Sequence, residues 1–307
     1  MSLAFVFPGQ GSHRAGALAP WEHHPAMAVL DEVSVGVGRD VLALSEDPTA
    51  GGRTADAQPA IMAASLVTWR ALTEAGITPS VVAGHSLGEY TAAVAAGVLG
   101  IEDGARLVAT RGAAMGEACA ANPGTMAAVV KLHPDAVTVL VDGIDGLVIA
   151  NDNAPGQVVV AGTPDAVAAV KDQAREAGGR ALALDVEGAF HSPAMAPAVD
   201  RVREAIDGLS LAEATVPLVA GASALPLQDG AAIGDALVAG MLSPVRWREV
   251  QLRLEAMGVT DLVEVGPGGV LAGLAKRTVP ELTVHTVSGP DDLDGVVEAL
   301  RGLSPVR

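Results

Sequence analysis

Val81-Val82-Ala83-Gly84-His85-Ser86-Leu87-Gly88-Glu89-Tyr90 is the stretch that decides how the rest of this chain reads. A short β-branched run enters Gly-x-Ser-x-Gly, and a small-residue helical pattern from Thr91 to Val98 leaves it. Strand, tight turn and helix in that order form the context of a nucleophile elbow, in which a strained turn exposes a serine hydroxyl at the carboxyl edge of a sheet. Gly84 and Gly88 lack a Cβ, so strand and helix can approach closely on either side of Ser86. The helix N-terminus beneath the serine favours developing negative charge. Alone, the pentapeptide also fits a purely structural strand-to-helix turn, because the chain carries 36 glycines.

Outward from this stretch, strand and helix patterns alternate, as in an α/β fold with a mainly parallel sheet. Leu3 to Phe7 reads as a buried strand that ends at Pro8-Gly9-Gln10-Gly11-Ser12. Thr260 to Val265 is another, stopped by Gly266-Pro267-Gly268-Gly269, and Leu282 to Val287 is the last. Helical patterns cover Ile101 to Ala120, Pro193 to Ile206, Ile233 to Met241 and Arg246 to Met257. Between Gly124 and Phe190 the rhythm changes. Strand (Thr125–Leu132), helix (Pro134–Val141), strand (Leu147–Ala150), a turn cluster (Asn151–Gly156), strand (Gln157–Ala161), helix (Pro164–Ala177) and strand (Arg180–Val186) follow one another. That βαββαβ order is ferredoxin-like. The expected architecture is a large α/β-hydrolase-like domain of residues 1–123 and 191–307, with a ferredoxin-like subdomain of residues 124–190 inserted in it.

Composition narrows the function classes. The chain has 307 residues, 50% of them hydrophobic but only 2% aromatic, so its core is built from Ala, Val and Leu. Lys and Arg number 19 against 36 Asp and Glu, a net charge of −17 that disfavours nucleic acid and anionic membranes as partners. A strongly acidic protein can still meet an acidic partner through a local basic patch. Cys119 is the only cysteine, which excludes an internal disulfide and suits a reducing cytoplasm. Leu3 to Phe7 has no basic region before it and is too short for a secretory signal, and the low-charge run Leu87 to Ile101 is too short to span a bilayer.

A serine nucleophile requires a base that is itself oriented. Of seven histidines, His85 adjoins Ser86 and is expected to point away from it as a packing or hydrogen-bonding residue. His23 and His24 lie in a polar loop pattern. His191 follows Gly188-Ala189-Phe190 where the chain leaves the 124–190 segment, and it is the candidate base; a histidine in a loop also fits a structural role.

The ordered motifs resemble those of the malonyl-CoA:acyl carrier protein transacylases and the related acyltransferase domains of polyketide synthases. They are Phe7-Pro8-Gly9-Gln10-Gly11-Ser12, Gln58-Pro59-Ala60, Gly84-His85-Ser86-Leu87-Gly88-Glu89-Tyr90, Arg111-Gly112-Ala113-Ala114-Met115, Asn151-Asp152-Asn153-Ala154-Pro155-Gly156-Gln157-Val158-Val159, Gly188-Ala189-Phe190-His191-Ser192, Ser243-Pro244-Val245-Arg246-Trp247 and Glu264-Val265-Gly266-Pro267-Gly268. The resemblance spans about residues 3 to 287. It implies Ser86 as nucleophile, His191 as base and acid, and the backbone N–H groups of Gln10 and Leu87 as the oxyanion hole. It implies that a main-chain carbonyl near Val245 and Arg246 orients His191 in place of a triad aspartate. Arg111 would clamp the free carboxylate of a malonyl group through a bidentate fork that lysine cannot reproduce; a salt-bridged helix arginine is the structural alternative. Phe190 would limit the acyl α-substituent, although the preceding Gly188-Ala189 departs from the polyketide pattern. Gln58 and Arg246 complete the implied substrate-binding set, Arg246 at a position where members carry glutamine or arginine. The implied reaction is ping-pong transfer from malonyl-CoA to the phosphopantetheine thiol of an acyl carrier protein, by a monomer with no cofactor and no metal of its own. Transfer of another acyl unit in trans, hydrolysis of acyl-carrier thioesters, and a non-catalytic docking role are the competing readings; the serine, histidine and arginine together disfavour the last.

Overall fold

A computed structural model describes residues 2–301. Ten strands, β1 (Leu3–Phe7), β2 (Val81–Gly84), β3 (Thr125–Val130), β4 (Leu147–Ala154), β5 (Gln157–Gly162), β6 (Arg180–Ala183), β7 (Leu218–Val219), β8 (Pro226–Leu227), β9 (Asp261–Val265) and β10 (Thr283–Val287), form two sheets. The larger has the order β10-β9-β1-β2-β7-β8. All its pairs are parallel except β7 with β8. β1 is central and buried at every position, as an apolar run without alternation requires in a parallel sheet covered on both faces. The chain passes from β1 to β2 on one side and later returns to β9 on the other, all three parallel, so the loops after β1, β2 and β9 converge at one carboxyl edge, where α/β sheets open a crevice.

The smaller sheet, β4-β5-β3-β6, is antiparallel throughout and carries helices Pro134–Asp142 and Pro164–Glu176. Ala127, Val129, Val158 and Val160 pack with Val137, Val167 and Val170 of those helices in a separate core. Their neighbours Met126, Ala128 and Val159 face the other way and line the groove below the large sheet. Strand alternation thus gives this sheet one face for its own helices and one for the site.

Three departures from the sequence reading bear on the site. Helix Thr54–Glu74 lies in the core with Pro59 inside it and is buried along most of its length. Buried polar residues, Asp56, Gln58, Ser65 and Thr68, are scattered among its apolar ones, so it has no amphipathic stripe and periodicity did not mark it. The turn cluster expected at Asn151–Gly156 is mostly strand: β4 continues to Ala154 through two register shifts, leaving Pro155-Gly156 as the turn. Bulges of this kind re-aim side chains, and here Asp152 meets Arg248 while Asn153 meets His85. The last strand of the small sheet stops at Ala183, and Leu184 and Val186 line the groove instead.

The two sheets are tied by the Arg248–Asp152 pair (Nε to Oδ2 3.0 Å, Nη2 to Oδ2 2.6 Å), with side-chain exposures of 30% and 16%. Arg248→Met is expected to lower stability by about 1–2 kcal/mol, the usual worth of a partly buried charge-assisted bond. Urea unfolding checks this, and an unchanged midpoint would mean that the pair contributes nothing.

Candidate active site

Ser86 lies two residues beyond Gly84, the last residue of β2, and takes φ 55°, a left-handed conformation that L-residues rarely adopt. The surrounding glycines permit it. A Cβ on Gly84 would lie 2.0 Å from the Gly88 carbonyl carbon, and one on Gly88 would lie 2.0 Å from the Phe7 carbonyl oxygen. The chain therefore turns from strand into helix Gly88–Ala95 only because both positions lack side chains. Gly9 packs in the same way against the His85 carbonyl, which brings the loop after β1 against the serine turn.

His191 also has a positive φ, 57°, and is buried. Its Nε2 lies 2.9 Å from Ser86 Oγ. Its Nδ1 lies 2.9 Å from the Gly240 carbonyl oxygen and 3.1 Å from that of Ser243. Two acceptors at Nδ1 place the ring proton there and leave Nε2 free to accept the serine proton. Burial, reinforced by the nearby Arg111 charge, pushes the His191 pKa down to about 3, so the ring is neutral at ordinary pH.

One orienting carbonyl, that of Ser243, lies two residues before Val245 in the expected segment, and the other comes from Gly240. The Val245 carbonyl accepts from Asp152 N–H at 2.9 Å, and Val245 N–H donates to Ala150 at 2.8 Å, so this residue is occupied in bridging to β4. Arg246 is likewise not brought to the cluster. Its guanidinium pairs with Glu249 and donates to the Ser223 carbonyl, in a half-exposed position. A substrate role for Arg246 has no support in this placement.

Arg111, on helix Ile101–Ala121, does reach the serine. It is 2% exposed, and Nη2 donates to Ser86 Oγ at 3.1 Å while Nη1 donates to Gln58 Oε1 at 2.7 Å. Its guanidinium carbon lies 5.1 Å from the Tyr90 ring centroid, and Nε has no hydrogen-bond partner. Every one of these contacts is uncharged. Gln58 is fully buried, with Nε2 toward Met115 Sδ at 3.6 Å, so its amide is fixed as the acceptor for Arg111.

Gln10 opens a short 3-10 turn and Leu87 immediately precedes the helix after Ser86. Both are positions where backbone N–H groups have no helical acceptor. Gln10 lines the groove, and its side chain donates to Thr54 Oγ1 at 3.2 Å. Phe190 is buried beside His191 on the groove wall. The groove measures about 260 Å³ and runs between the loop after β1, the groove face of the small sheet and helix Val270–Thr278. Ser86 and His191 lie at its base and also line a second space of about 10 Å³ on the Arg111 side.

His85 points away from the serine: Nε2 meets Asn153 Oδ1 at 2.8 Å and the ring meets Trp247 edge-on at 5.5 Å. Asn153, Tyr90, Glu89 and the Gly240 carbonyl were given no role by sequence reasoning. Glu89 and Tyr90 could have been flagged by their place directly after the serine turn, whereas a carbonyl carries no side-chain signal. Among the described residues no three His, Cys, Asp or Glu gather into a metal-binding group, and no helix is long and apolar enough to cross a membrane.

A serine on a strained strand-to-helix turn, a neutral histidine and a buried arginine are what acyl transfer to a hydroxyl could use. Comparisons with known proteins point the same way. A family model described as acyl transferase domain matches residues 4–302. The malonyl CoA-acyl carrier protein transacylase of Bacillus subtilis strain 168 is 37% identical over 308 residues, covering 97% of each chain. The crystal structure of an acyl-carrier-protein S-malonyltransferase from Burkholderia pseudomallei 1710b is similar with a TM-score of 0.92 at 39% identity, over 97% of this chain and 100% of that one. A malonyl transacylase solved in complex with its type II polyketide synthase acyl carrier protein gives a TM-score of 0.93 at 36% identity, over 97% and 100%. With nearly its whole length matched by that model and by relatives above 30% identity, the chain belongs to the acyl transferase domain family.

Proposed function

We propose that this protein is a malonyl-CoA:acyl carrier protein transacylase, which loads the phosphopantetheine thiol of a carrier protein for fatty-acid or polyketide synthesis. The observation that carries the choice of malonyl is Arg111, a buried cation within 3.1 Å of Ser86 Oγ whose hydrogen-bond partners are all neutral. Burying a charge without an opposite charge is costly. The terminal carboxylate of a malonyl thioester, bound while its carbonyl faces Ser86, supplies that charge.

The reaction then follows from the named atoms. Ser86 Oγ attacks the thioester carbonyl as its proton passes to His191 Nε2. The backbone N–H groups of Gln10 and Leu87 receive the oxyanion. Collapse expels the CoA thiolate, which takes the proton from His191 and leaves malonyl on Ser86. The carrier thiol enters along the groove, gives its proton to His191, and reverses the sequence. Phe190 limits bulk beside the acyl α-carbon, and Gln58 holds the Arg111 fork in plane. Hydrolysis would need only the serine and histidine, so the arginine favours a diacid acyl group over simple acyl hydrolysis.

The large sheet and its helices are read as an α/β-hydrolase-like unit of residues 1–123 and 191–307, supported by the parallel order and the serine turn. Residues 124–190 are read as an inserted ferredoxin-like unit, supported by the order βαββαβ. The protein is read as a monomer, and its single free cysteine supports action in a reducing cytoplasm.

Intact mass after incubation with a panel of acyl-CoAs tests the reading. A malonyl adduct that maps to the Ser86 peptide is expected, with little or no acetyl adduct. Malonyl on another residue, or no adduct from any acyl-CoA, would overturn it.

A further inference from the structure

Immediately after the serine turn stands a carboxyl that the transfer scheme does not use. Glu89 is the second residue of helix Gly88–Ala95 and only 5% exposed. It lines the small space on the far side of Ser86 from the groove, together with Tyr90, Arg111 and His191. Its Oε1 is buried without a hydrogen-bond partner, and the Gly221 N–H bonds the carboxyl group. The backbone confines it closely: a Cβ on Gly221 would lie 2.9 Å from Oε2. An ionised carboxylate here would be the natural counter-ion of Arg111, and it would compete with any carboxylate brought in by the substrate.

We propose that Glu89 is a specificity-determining residue of this site: it shares the small space with Arg111 but makes no hydrogen bond to the guanidinium, which leaves that charge for the carboxylate of a diacid acyl group. The proposal rests on the assignment of Arg111 to the malonyl carboxylate. It accounts for an unpartnered Oε1 next to an arginine whose own contacts are uncharged. It also makes the selectivity of the enzyme depend on pH. When Glu89 ionises, Arg111 acquires an internal partner, and a diacid must displace it or take up a proton on binding.

The groups facing Glu89 from each packed element are few. Tyr90 comes from its own helix, Arg111 from helix Ile101–Ala121, and His191 from the loop after the small sheet, with His85 behind the serine turn. The Gly221–Ala222 segment and the Leu237–Val245 stretch place no ionisable side chain in this space. Burial raises Glu89 to about 8, against the pull of the Gly221 N–H and Arg111. Burial raises Tyr90 to about 12 and lowers His191 to about 3, and it also lowers His85. Arg111 stays protonated throughout. Glu89 is therefore the one group of this cluster that changes charge near pH 8. A carboxyl with a raised pKa is neutral below that value and charged above it, so diacid binding weakens as pH rises through 8.

The test is the acylation half-reaction with malonyl-CoA and acetyl-CoA, with KM and kcat resolved from about pH 7 to pH 9. Using the first half-reaction keeps the carrier thiol, which titrates in this range, out of the measurement. In the wild type, KM for malonyl-CoA is expected to rise about tenfold across the range while KM for acetyl-CoA stays level. Dividing one by the other cancels any titration of the CoA moiety. Glu89→Gln, neutral at every pH, is expected to abolish the pH dependence of the malonyl-to-acetyl ratio. A wild-type ratio that does not move between pH 7 and pH 9 overturns the proposal without any variant. So does a Glu89→Gln enzyme whose ratio moves in parallel with the wild type. A wild type with no malonyl preference at pH 7 would overturn the Arg111 assignment itself, which a pH-indifferent malonyl preference would leave standing.

Discussion

His191→Ala is expected to slow acylation of Ser86 by about 10²–10⁴-fold, the contribution of a positioned general base. The expectation follows from three features of the ring. Nε2 is 2.9 Å from Ser86 Oγ, the two carbonyls at Nδ1 fix the tautomer, and burial with the Arg111 charge keeps the ring neutral and ready to accept. The loss belongs in the rate of acylation, because no contact of His191 with the acyl group is needed to bind it. Rapid-quench measurement of the malonyl-enzyme, with thermal unfolding as the control for folding, checks this. A loss of only a few fold would make His191 a structural residue and require another base near the serine.

Arg111→Ala is expected to collapse the preference for malonyl over acetyl. Removing the partner of a buried carboxylate costs about 2–5 kcal/mol, well beyond a tenfold loss in kcat/KM for malonyl-CoA. Acetyl-CoA has no carboxylate to strand, and removal of a buried cation with only neutral partners can even favour it. Arg111→Lys restores the charge without the planar fork and should recover part of the ratio. The geometry sharpens this expectation. Gln58 occupies Nη1 and Ser86 lies at Nη2, so a lysine ammonium cannot hold the same pair of directions at once. Rates for both substrates in the wild type and the two variants decide it. An unchanged ratio would remove the carboxylate clamp and the main ground for a malonyl substrate.

Short-range signals were the legible part of the fold. The strands at Leu3–Phe7, Val81–Gly84, Asp261–Val265 and Thr283–Val287 lie within a residue or so of where apolar runs and flanking breakers put them. The βαββαβ order between Thr125 and Ala183 was equally visible. Helix Thr54–Glu74 was not, because a helix buried on all sides presents no polar face to set a period. The continuation of β4 through Asn151, Asp152 and Asn153 was hidden too. Three residues with turn preferences are held in a strand by pairing with β5 and by partners on other elements, Val245, Arg248 and His85.

What the sequence determined by itself about the site was chemistry at single positions: a serine between glycines that permit its turn, a histidine in a loop, and an arginine in a helix. These are properties of a residue and its near neighbours, and short-range sterics and hydrogen bonding set them. What only the tertiary structure decided was which of them meet. Ser86 and His191 are 105 residues apart in the chain and 2.9 Å apart in space. The carbonyls that hold His191 come from Gly240 and Ser243, because Val245 is engaged by β4 and Arg246 is turned to Glu249. The upward shift of the Glu89 carboxyl also comes from the fold, since burial raises it against the pull of the Gly221 N–H and Arg111. Desolvation and long-range pairing exist only once the sheets have closed over these side chains, so no local pattern could have carried them.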